Sequence, residues 1–327
     1  MLRADEVKEF AKMHGADLVG IGSMDRFEGA PAQNDPRYIF PEARSIIGLG
    51  FRIHRGLLRG IEEGTYFAGY TAMGYASIND VYAPIVLREV GNFLEDNGYE
   101  AVLYQNTSVR LGCGVGKRAS PDRPKPDVFL HFRIAAVICG MGQIGYSKLF
   151  LSPEFGPRQR LAFVITDAPL EPDPIFEGEI CDRCMMCVKE CPAGAIDPKK
   201  TVKVKVADRE LEWGELDVEK CSAVYQAGTP EYSPFMTDEV AEVIREVVSS
   251  DRERGQSKPD PRMADIWGYL RENMQYVRNA WESYHHPSTI CGGRGCIRAC
   301  MIHLEQAGKI KNTFKSPFRR REPWRLD

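Results

Sequence analysis

Four cysteines in one short segment constrain this chain more than any other feature. The segment reads CDRCMMCVKECP over residues 181–192, with cysteine spacings of two, two and three residues and a closing Pro192. Bacterial proteins hold [4Fe–4S] clusters with this spacing. Zinc is the weaker interpretation, because a structural zinc site prefers two separated pairs of ligands. A single cluster held by this segment alone is the other alternative.

A second set of cysteines follows towards the C-terminus: Cys221, and then three more in CGGRGCIRAC. In two-cluster proteins the fourth cysteine of such a run ligates the other cluster. This crossing rule predicts one cluster held by Cys181, Cys184, Cys187 and Cys300, and a second held by Cys191, Cys221, Cys291 and Cys296. The two remaining cysteines, Cys113 and Cys139, are expected to be buried apolar side chains.

The composition describes a folded globular protein. Of its 327 residues 43% are hydrophobic and 10% aromatic, enough for one large domain or two ordinary ones. The formal net charge of -3 makes nucleic acid an improbable partner, although FRRREPWR near the C-terminus is locally basic. The first 22 residues lack the apolar core of a secretion signal, and no run of about 18 apolar residues follows. We therefore expect a cytoplasmic protein without a membrane span.

Helix-like and strand-like segments alternate in the first half. A helix is expected at 5–14 and another at 81–98, while five short apolar runs resemble strands: ADLVGIG, SIIGLGFRI, YEAVLY, AAVIC and LAFVIT. This mixture predicts an α/β (α+β) fold. After a Pro-rich linker at 169–178, TVKVKVA alternates like a half-exposed strand, and two further helices are expected at about 238–250 and 263–280.

One glycine segment imitates a dinucleotide-binding site. Gly140, Gly142 and Gly145 form GxGxxG after an apolar run, with Asp167 about twenty residues further on. That motif requires a helix to open at the glycines, but the breakers in SPEFGP leave room for barely two turns. We therefore reject a Rossmann site and expect only that the backbone approaches another group closely here.

The order of these features resembles one known superfamily. GMGQIG, then SPEFGPRQRLAFVITDAPLEPD, then the double cysteine set and a closing FRRREPW are similar to corrinoid iron–sulfur reductases, which include reductive dehalogenases and epoxyqueuosine reductases. The resemblance spans about residues 65–327. It implies a nitroreductase-like core that binds cobalamin, followed by a ferredoxin-like module with two [4Fe–4S] clusters.

The resemblance also implies an organisation and a set of cofactor contacts. We expect a core at 1–170, a cluster module at 171–310 with a helical insertion at about 225–288, and a basic tail at 311–327. Backbone atoms at the three glycines would line the corrinoid, with Asn106 and Lys148 as further contacts. Many members carry a basic residue after the glycine segment, where this chain has Tyr146, Ser147 and then Lys148.

Four side chains are candidates for the acid that protonates the substrate. They are Tyr75, Tyr82, Asp127 and Tyr146. A tyrosine of ordinary pKa can donate a proton if a cationic neighbour stabilises the resulting phenolate. The sequence does not choose among these four.

Three functions follow as hypotheses. The first is a cobalamin-dependent, reductive dehalogenase-like reductase of a small organic substrate, supplied with electrons by a low-potential donor such as ferredoxin or flavodoxin. The second is a cobalamin-free electron-transfer or activation protein for a partner enzyme. The third is tRNA modification like that of epoxyqueuosine reductases, which the acidic balance and the short segment after Cys300 disfavour.

Overall fold

A computed structural model describes residues 2–106, 114, 116–227, 230–234, 238–239, 241–243, 245–246, 291–322 and 326. Cys113 and the predicted helix at 263–280 lie outside these residues. The predicted helix at about 238–250 lies only partly within them.

A four-stranded antiparallel sheet forms the centre of the first part. Its strands are β1 (Leu18–Ser23), β2 (Ser45–Arg52), β3 (Ala101–Tyr104) and β6 (Gln159–Thr166), in the order β1-β2-β6-β3. A separate short hairpin joins β4 (Gln143–Ile144) to β5 (Phe150–Leu151). In the sheet, Ile47 stands opposite Ile21 on one side and Val164 on the other.

Helices cover both faces of this sheet. Helices α1 (Ala4–Met13) and α4 (Ala83–Asp96) pack against the face that carries Ile47 and Val164. Helix α5 (Phe132–Ile138) packs against the opposite face. Since β2 and β6 are buried on both faces, they read as nearly continuous apolar runs. The predicted mixed α/β (α+β) class is confirmed.

One predicted strand is wrong. AAVIC belongs to helix α5, which begins after His131, whose Nδ1 accepts a hydrogen bond from the backbone N–H of Ile134 at 3.3 Å. The helix is apolar on nearly every side because it is buried between the sheet and the loops around it. A short apolar run of this kind has no period that separates a strand from a helix. Because a hairpin rather than a helix follows the glycines, the rejection of a Rossmann site is confirmed.

The stretch before α4 is helical but irregular. Helices α2 (Arg59–Glu63) and α3 (Ala68–Thr71) are followed by two π-helical turns, at Ala72–Ala76 and Ile78–Tyr82, that lead into α4. Such widened turns are rare and are found often at functional sites.

The cysteine region continues from the sheet. Helix α6 (Met186–Lys189) precedes the hairpin of β7 (Ile196–Val206) and β8 (Arg209–Leu216), and α7 (Val218–Ala227) follows. Helices α8 (Cys291–Arg294) and α9 (Cys296–Gln306) complete the described elements. TVKVKVA is a strand as predicted, but its burial does not alternate strictly, since Val202 and Lys203 are both exposed while Val204 is half-buried and Val206 is buried. Ile297, Met301 and Ile302 of α9 pack in the same apolar cluster as α2, so the two parts share a core.

The basic C-terminal segment is fixed against α2. The backbone N–H of Arg321 donates to Glu62 Oε1 at 2.7 Å, and Arg59 donates to the carbonyl of Arg319 at 2.7 Å. Phe318 is buried in the main core. Within the described ranges, no helix is both long and apolar enough to cross a membrane.

Candidate redox site

The first cysteine group consists of Cys181, Cys184, Cys187 and Cys300. Two residues with left-handed backbone, Arg183 and Met185, turn the chain between its first three members, and α9 supplies the fourth. Burial, followed by the nearby thiols of Cys181 and Cys184, raises the pKa of Cys187 to about 11. Burial also raises the pKa of Cys300, as do the other three members. The four thiols are therefore electrostatic neighbours, although no three of their sulfurs lie within 4.8 Å of one another in the described part of the chain.

The second cysteine group consists of Cys191, Cys221, Cys291 and Cys296. Its members come from the end of the 181–192 segment, from α7, and from the starts of α8 and α9. Burial, followed by the thiols of Cys191 and Cys221, raises the pKa of Cys296 to about 12. The pKa of Cys291 is also raised, first by burial and then by the other three thiols.

The electrostatic neighbours of Cys291 and Cys300 follow the two groups given by the crossing rule, although Cys187, Cys191 and Cys296 also share one apolar cluster. Cys191 leaves its own run and joins the second group, while Cys300 joins the first. Helix α9 makes this possible because Cys296 and Cys300 lie about one turn apart on it. The role of these thiols as iron ligands stays a prediction.

Both groups suit a thiolate-bound metal. The backbone N–H of Tyr146 donates to Cys181 Sγ, and that of Ala195 donates to Cys191 Sγ, each at 3.4 Å. Donors of this kind stabilise negative charge on sulfur. Burial and neighbouring thiols raise the pKa of Cys300 in the first group and of Cys291 in the second, and a metal that takes these thiols as thiolates removes that conflict.

A third, mixed group lies beside the first. Ligand atoms of Asp182, Cys184 and His303 lie within 4.8 Å of one another. The Asp182 carboxylate already accepts from His303 Nε2 at 2.8 Å and pairs with Lys309 at 3.4 Å. Since Cys184 also belongs to the first cysteine group, we treat Asp182 and His303 as neighbours of that group rather than as a separate metal site.

A cluster of aromatic and cationic side chains surrounds Arg160 on β6. Its guanidinium carbon lies 4.2 Å from the centre of the Tyr75 ring, and its Nε donates to Asn79 Oδ1 at 3.0 Å. The Tyr75 and Tyr225 rings are 6.1 Å apart. Burial opposes the charge on Arg160, but the phenol groups of Tyr75, Tyr225 and Tyr70 raise its pKa above the ordinary value.

This tyrosine–arginine cluster adjoins the second cysteine group. Burial raises the pKa of Tyr70, Arg160 lowers it, and Cys296 and Cys291 raise it further, so Tyr70 lies between the cluster and the thiols. Arg133 of α5 interacts electrostatically with Arg160 and with Cys296. The second cysteine group is therefore the one that neighbours the tyrosine–arginine cluster.

The four candidate acids lie in different surroundings. Tyr75 is next to the Arg160 guanidinium. Tyr82 is 49% exposed, and Asp127 is exposed as well. The hydroxyl of Tyr146 donates to the carbonyl of Asp197 at 2.9 Å, so this side chain joins the β7–β8 hairpin to the first cysteine group. Only Tyr75 among the four contacts a cation in the described structure.

The predicted cofactor contacts have neighbours within the chain. A Cβ at Gly140 would come within 2.3 Å of the Pro174 carbonyl oxygen, and one at Gly142 within 2.1 Å of the Leu151 carbonyl oxygen. A Cβ at Gly145 would meet the Leu151 side chain at 2.8 Å. The close approach expected at these glycines is thus made by the chain itself.

The two other predicted contacts differ from each other. Lys148 has left-handed backbone, and its Nζ lies 5.2 Å from the centre of the Trp213 ring. Asn106 is half-buried at the end of the described segment that follows β3.

The sequence analysis missed most of the tyrosine–arginine cluster. Tyr70, Asn79, Arg133 and Tyr225 come from three separate helical segments, which a single sequence does not bring together. Arg160 did carry a signal, because it is a charged residue in the otherwise apolar strand QRLAFVIT.

Comparison with known proteins identifies sequence relatives of the chain. No family model matches the chain. It is 38% identical over 222 residues to the tetrachloroethene reductive dehalogenase of Dehalobacter restrictus, covering 61% of this chain and 39% of the relative. It is 24% identical over 213 residues to the epoxyqueuosine reductase of Bacillus subtilis, covering 59% of this chain and 51% of the relative.

A solved structure shares the fold. A catabolic reductive dehalogenase in complex with 3-bromo-4-hydroxybenzoic acid matches with a TM-score of 0.50 and 18% identity, over 84% of this chain and 36% of that one. The matched regions amount to 39% and 51% of the two curated relatives' lengths. The resemblance is confirmed: the chain is a homologue of reductive dehalogenases and epoxyqueuosine reductases, which are oxidoreductases.

Proposed function

We propose that the protein is an iron–sulfur reductase, similar to reductive dehalogenases, that uses cobalamin to reduce a small organic substrate. The observation that carries this proposal is the contact between Tyr70 and the helix that begins at Cys291, where a Cβ at Gly293 would come within 3.6 Å of the Tyr70 ring. An electron path that ends next to a proton donor suits a reductase better than a free electron carrier.

In this proposal the two cysteine groups each hold a [4Fe–4S] cluster. The donor chemistry supports it, because each group offers four neighbouring thiols and the run has the spacing of cluster ligands. Residues 1–170 would form the substrate core, 171–310 the cluster module and 311–327 the tail. Electrons would enter from a low-potential donor such as ferredoxin or flavodoxin. Because the thiols must stay reduced until iron binds, a cytoplasmic location suits this function.

Tyr75 is the acid in this mechanism. Its Oη holds the proton that the reduced substrate takes up, and Arg160 stabilises the phenolate left behind. Asn79 orients Arg160 by accepting a hydrogen bond from its Nε. When bound, the corrinoid supplies low-potential cobalt chemistry at the bond to be reduced. Asn106, Lys148 and the backbone of Gly140, Gly142 and Gly145 are the contacts proposed for it.

The alternatives have weaker support. A cobalamin-free electron-transfer protein would explain why the three glycines pack against their own chain. This alternative does not explain the tyrosine–arginine cluster. A tRNA-binding role loses support because Arg321 of the basic tail is paired with Glu63 inside the molecule.

Anaerobic protein, reconstituted with iron and sulfide, tests the proposal. After incubation with cobalamin and desalting, we expect about one corrinoid per chain, together with a cobalt EPR signal and cluster absorbance. The control is the same protein after desalting without cobalamin. Protein with both clusters intact that retains no corrinoid would contradict the cobalamin-dependent function and favour the electron-transfer alternative.

A further inference from the structure

The segment 309–322 is strongly basic within an acidic chain. It carries six cations against one acid, a net charge of +5, whereas the whole chain has a formal net charge of -3. The charged residues of this basic segment are Lys309, Lys311, Lys315, Arg319, Arg320, Arg321 and Glu322. The remainder of the chain is correspondingly acidic, so the segment is a local concentration of positive charge.

The basic segment begins beside the first cysteine group. Lys309 pairs at 3.4 Å with Asp182, the residue that follows Cys181. The next residue, Ile310, packs in one apolar cluster with Cys181 and Cys300. The positive charge of the segment is therefore joined to the surface around this group of thiols.

A groove of about 90 Å³ lies between α6 and α9, next to the same cysteine group. Met186 and Ala299 line the groove, and each directly precedes a cysteine of that group, Cys187 and Cys300. Arg320 of the basic segment lines it as well. The groove therefore combines a short approach to the first cysteine group with a cation of the basic segment.

Positive charge at this surface exceeds the carboxylates that face it. The acid that lines the groove, Glu190, is shared between Arg298 and Arg320, each at 3.5 Å. Lys189 at the end of α6 and Arg319 beside Arg320 are both exposed, and in the described part of the chain no carboxylate lies within 4.0 Å of either side chain. These cations can pair with acids of another molecule.

We propose that this surface docks an acidic electron-carrier protein, which delivers electrons to a cluster held by the first cysteine group. The docking surface consists of the groove, Lys189, Arg319 and Arg320. The inference rests on the proposed function and names the class of its electron donor and the place where that donor binds. In each encounter the carrier loses one electron and the cluster gains it, and no covalent bond forms or breaks.

Charge complementarity suits this kind of partner. Encounters between redox proteins bury little surface, and opposite charges on the two partners make their association fast. The acidic remainder of the chain repels an acidic carrier, so a basic surface beside one cysteine group directs the carrier there. The second cysteine group neighbours the tyrosine–arginine cluster, which leaves the first group as the point of entry.

Nucleic acid is the other anionic macromolecule that a basic surface can bind. The position of the groove favours a redox protein, because an electron carrier has to approach a cluster and a nucleic acid does not. The two partners are separated by measuring electron transfer and tRNA binding on the same variants.

The test is stopped-flow reduction of anaerobically reconstituted protein by reduced flavodoxin, an acidic carrier, followed by the absorbance of the flavodoxin semiquinone that forms. At low salt we expect Lys189→Gln and Arg320→Gln each to lower the second-order rate constant roughly threefold, and the double variant to lower it roughly tenfold. The rate of the unmodified protein should fall as salt is added, and that of the double variant should fall less steeply.

Three controls accompany this measurement. Lys12→Gln, which removes an exposed cation on α1, should keep the rate of the unmodified protein. Lys189→Arg and Arg320→Lys retain the charge and should retain most of the rate. Reduction by the methyl viologen radical, a small cation, should be equally fast in all variants, which verifies that the clusters are intact.

Three outcomes would overturn the inference. They are an unchanged flavodoxin rate in the double variant at low salt, an equal loss in the variants that retain the charge, and a loss of tRNA binding with no loss of electron transfer. Because reduction is measured without corrinoid, charge-dependent reduction of a protein that retains no corrinoid would contradict the proposed function and leave the docking surface standing. Corrinoid retention with charge-independent reduction would contradict only the docking surface.

Discussion

Arg160 and Tyr75 form a cation–aromatic pair, with the guanidinium carbon 4.2 Å from the ring centre. Arg160 lies on a strand of the sheet and Tyr75 on a π-helical turn, 85 positions apart in sequence. Arg160 is fixed in turn by Asn79 and lies near Tyr70, which leads to the second cysteine group. This pair is where the electron path and the proton donor of the proposed mechanism meet.

Removing the hydroxyl of Tyr75 tests the proton donor. Tyr75→Phe keeps the ring beside Arg160 and removes only the hydroxyl group, and with it the proton at Oη. We expect chloride release from a chlorinated aromatic probe, measured in a single turnover with reduced, corrinoid-loaded protein, to slow by roughly 10²–10⁴-fold. Tyr66→Phe alters an exposed tyrosine in the loop between α2 and α3 and should keep the rate of the unmodified protein. An unchanged rate in Tyr75→Phe would remove this tyrosine from the mechanism.

Glu62 should be a major contributor to stability. It is fully buried and accepts hydrogen bonds from Arg298 and from the backbone of Arg321, while Arg294 lies 3.4 Å away. Glu62→Gln removes the buried counter-charge of Arg294 and Arg298, although the half-buried Glu190 stays 3.5 Å from Arg298, and we expect the free energy of unfolding in urea to fall by about 3–5 kcal/mol.

An exposed ion pair is the control for that measurement. Lys203 and Glu210 pair across the β7–β8 hairpin at 2.7 Å in full contact with water, so Glu210→Gln should change stability very little. Equal losses for the two substitutions would show that burial of the Glu62 network has no energetic consequence.

His131 should make stability depend on pH. Burial, together with Arg133 and Lys148, lowers the pKa of His131 from 6.5 to about 4 in the folded state. The unfolded chain therefore binds a proton first, so stability present above about pH 6.5 is lost as the pH falls towards 4. From the two pKa values we expect a loss of about 2 kcal/mol between pH 7 and pH 5.

The matched variant for this pH effect is His131→Asn. Asparagine keeps an acceptor at the start of α5 but does not titrate, so the His131 part of the slope should disappear from urea unfolding curves. Identical slopes in the two proteins would mean that His131 is not held neutral.

The sequence predicted those features that depend on local spacing. The spacing of the cysteine run and the crossing rule predicted two groups among eight cysteines, and the role of these cysteines as cluster ligands stays a prediction. The strands β2 and β6 were recognisable because buried strands are continuously apolar. The same property made α5 look like a strand, since a short apolar run has no diagnostic period.

Features that depend on tertiary contacts could not be predicted in this way. Arg133, Arg160 and Tyr225 are distant in sequence and ordinary in their local setting, and only the packing of α5, β6 and α7 brings them together. Likewise, four candidate acids were equivalent in sequence until the structure placed one of them, Tyr75, against a cation.

The most direct test of the account is the EPR spectrum of reduced variants in which one cysteine is replaced. The account requires Cys191 to bind the second cluster and Cys300 to bind the first. Cys191→Ala and Cys221→Ala should each lose the second cluster and show the same remaining signal. Cys187→Ala and Cys300→Ala should each lose the first cluster and share a different signal. A spectrum of Cys191→Ala that matches Cys187→Ala, or unmodified protein with a single cluster, would contradict the account.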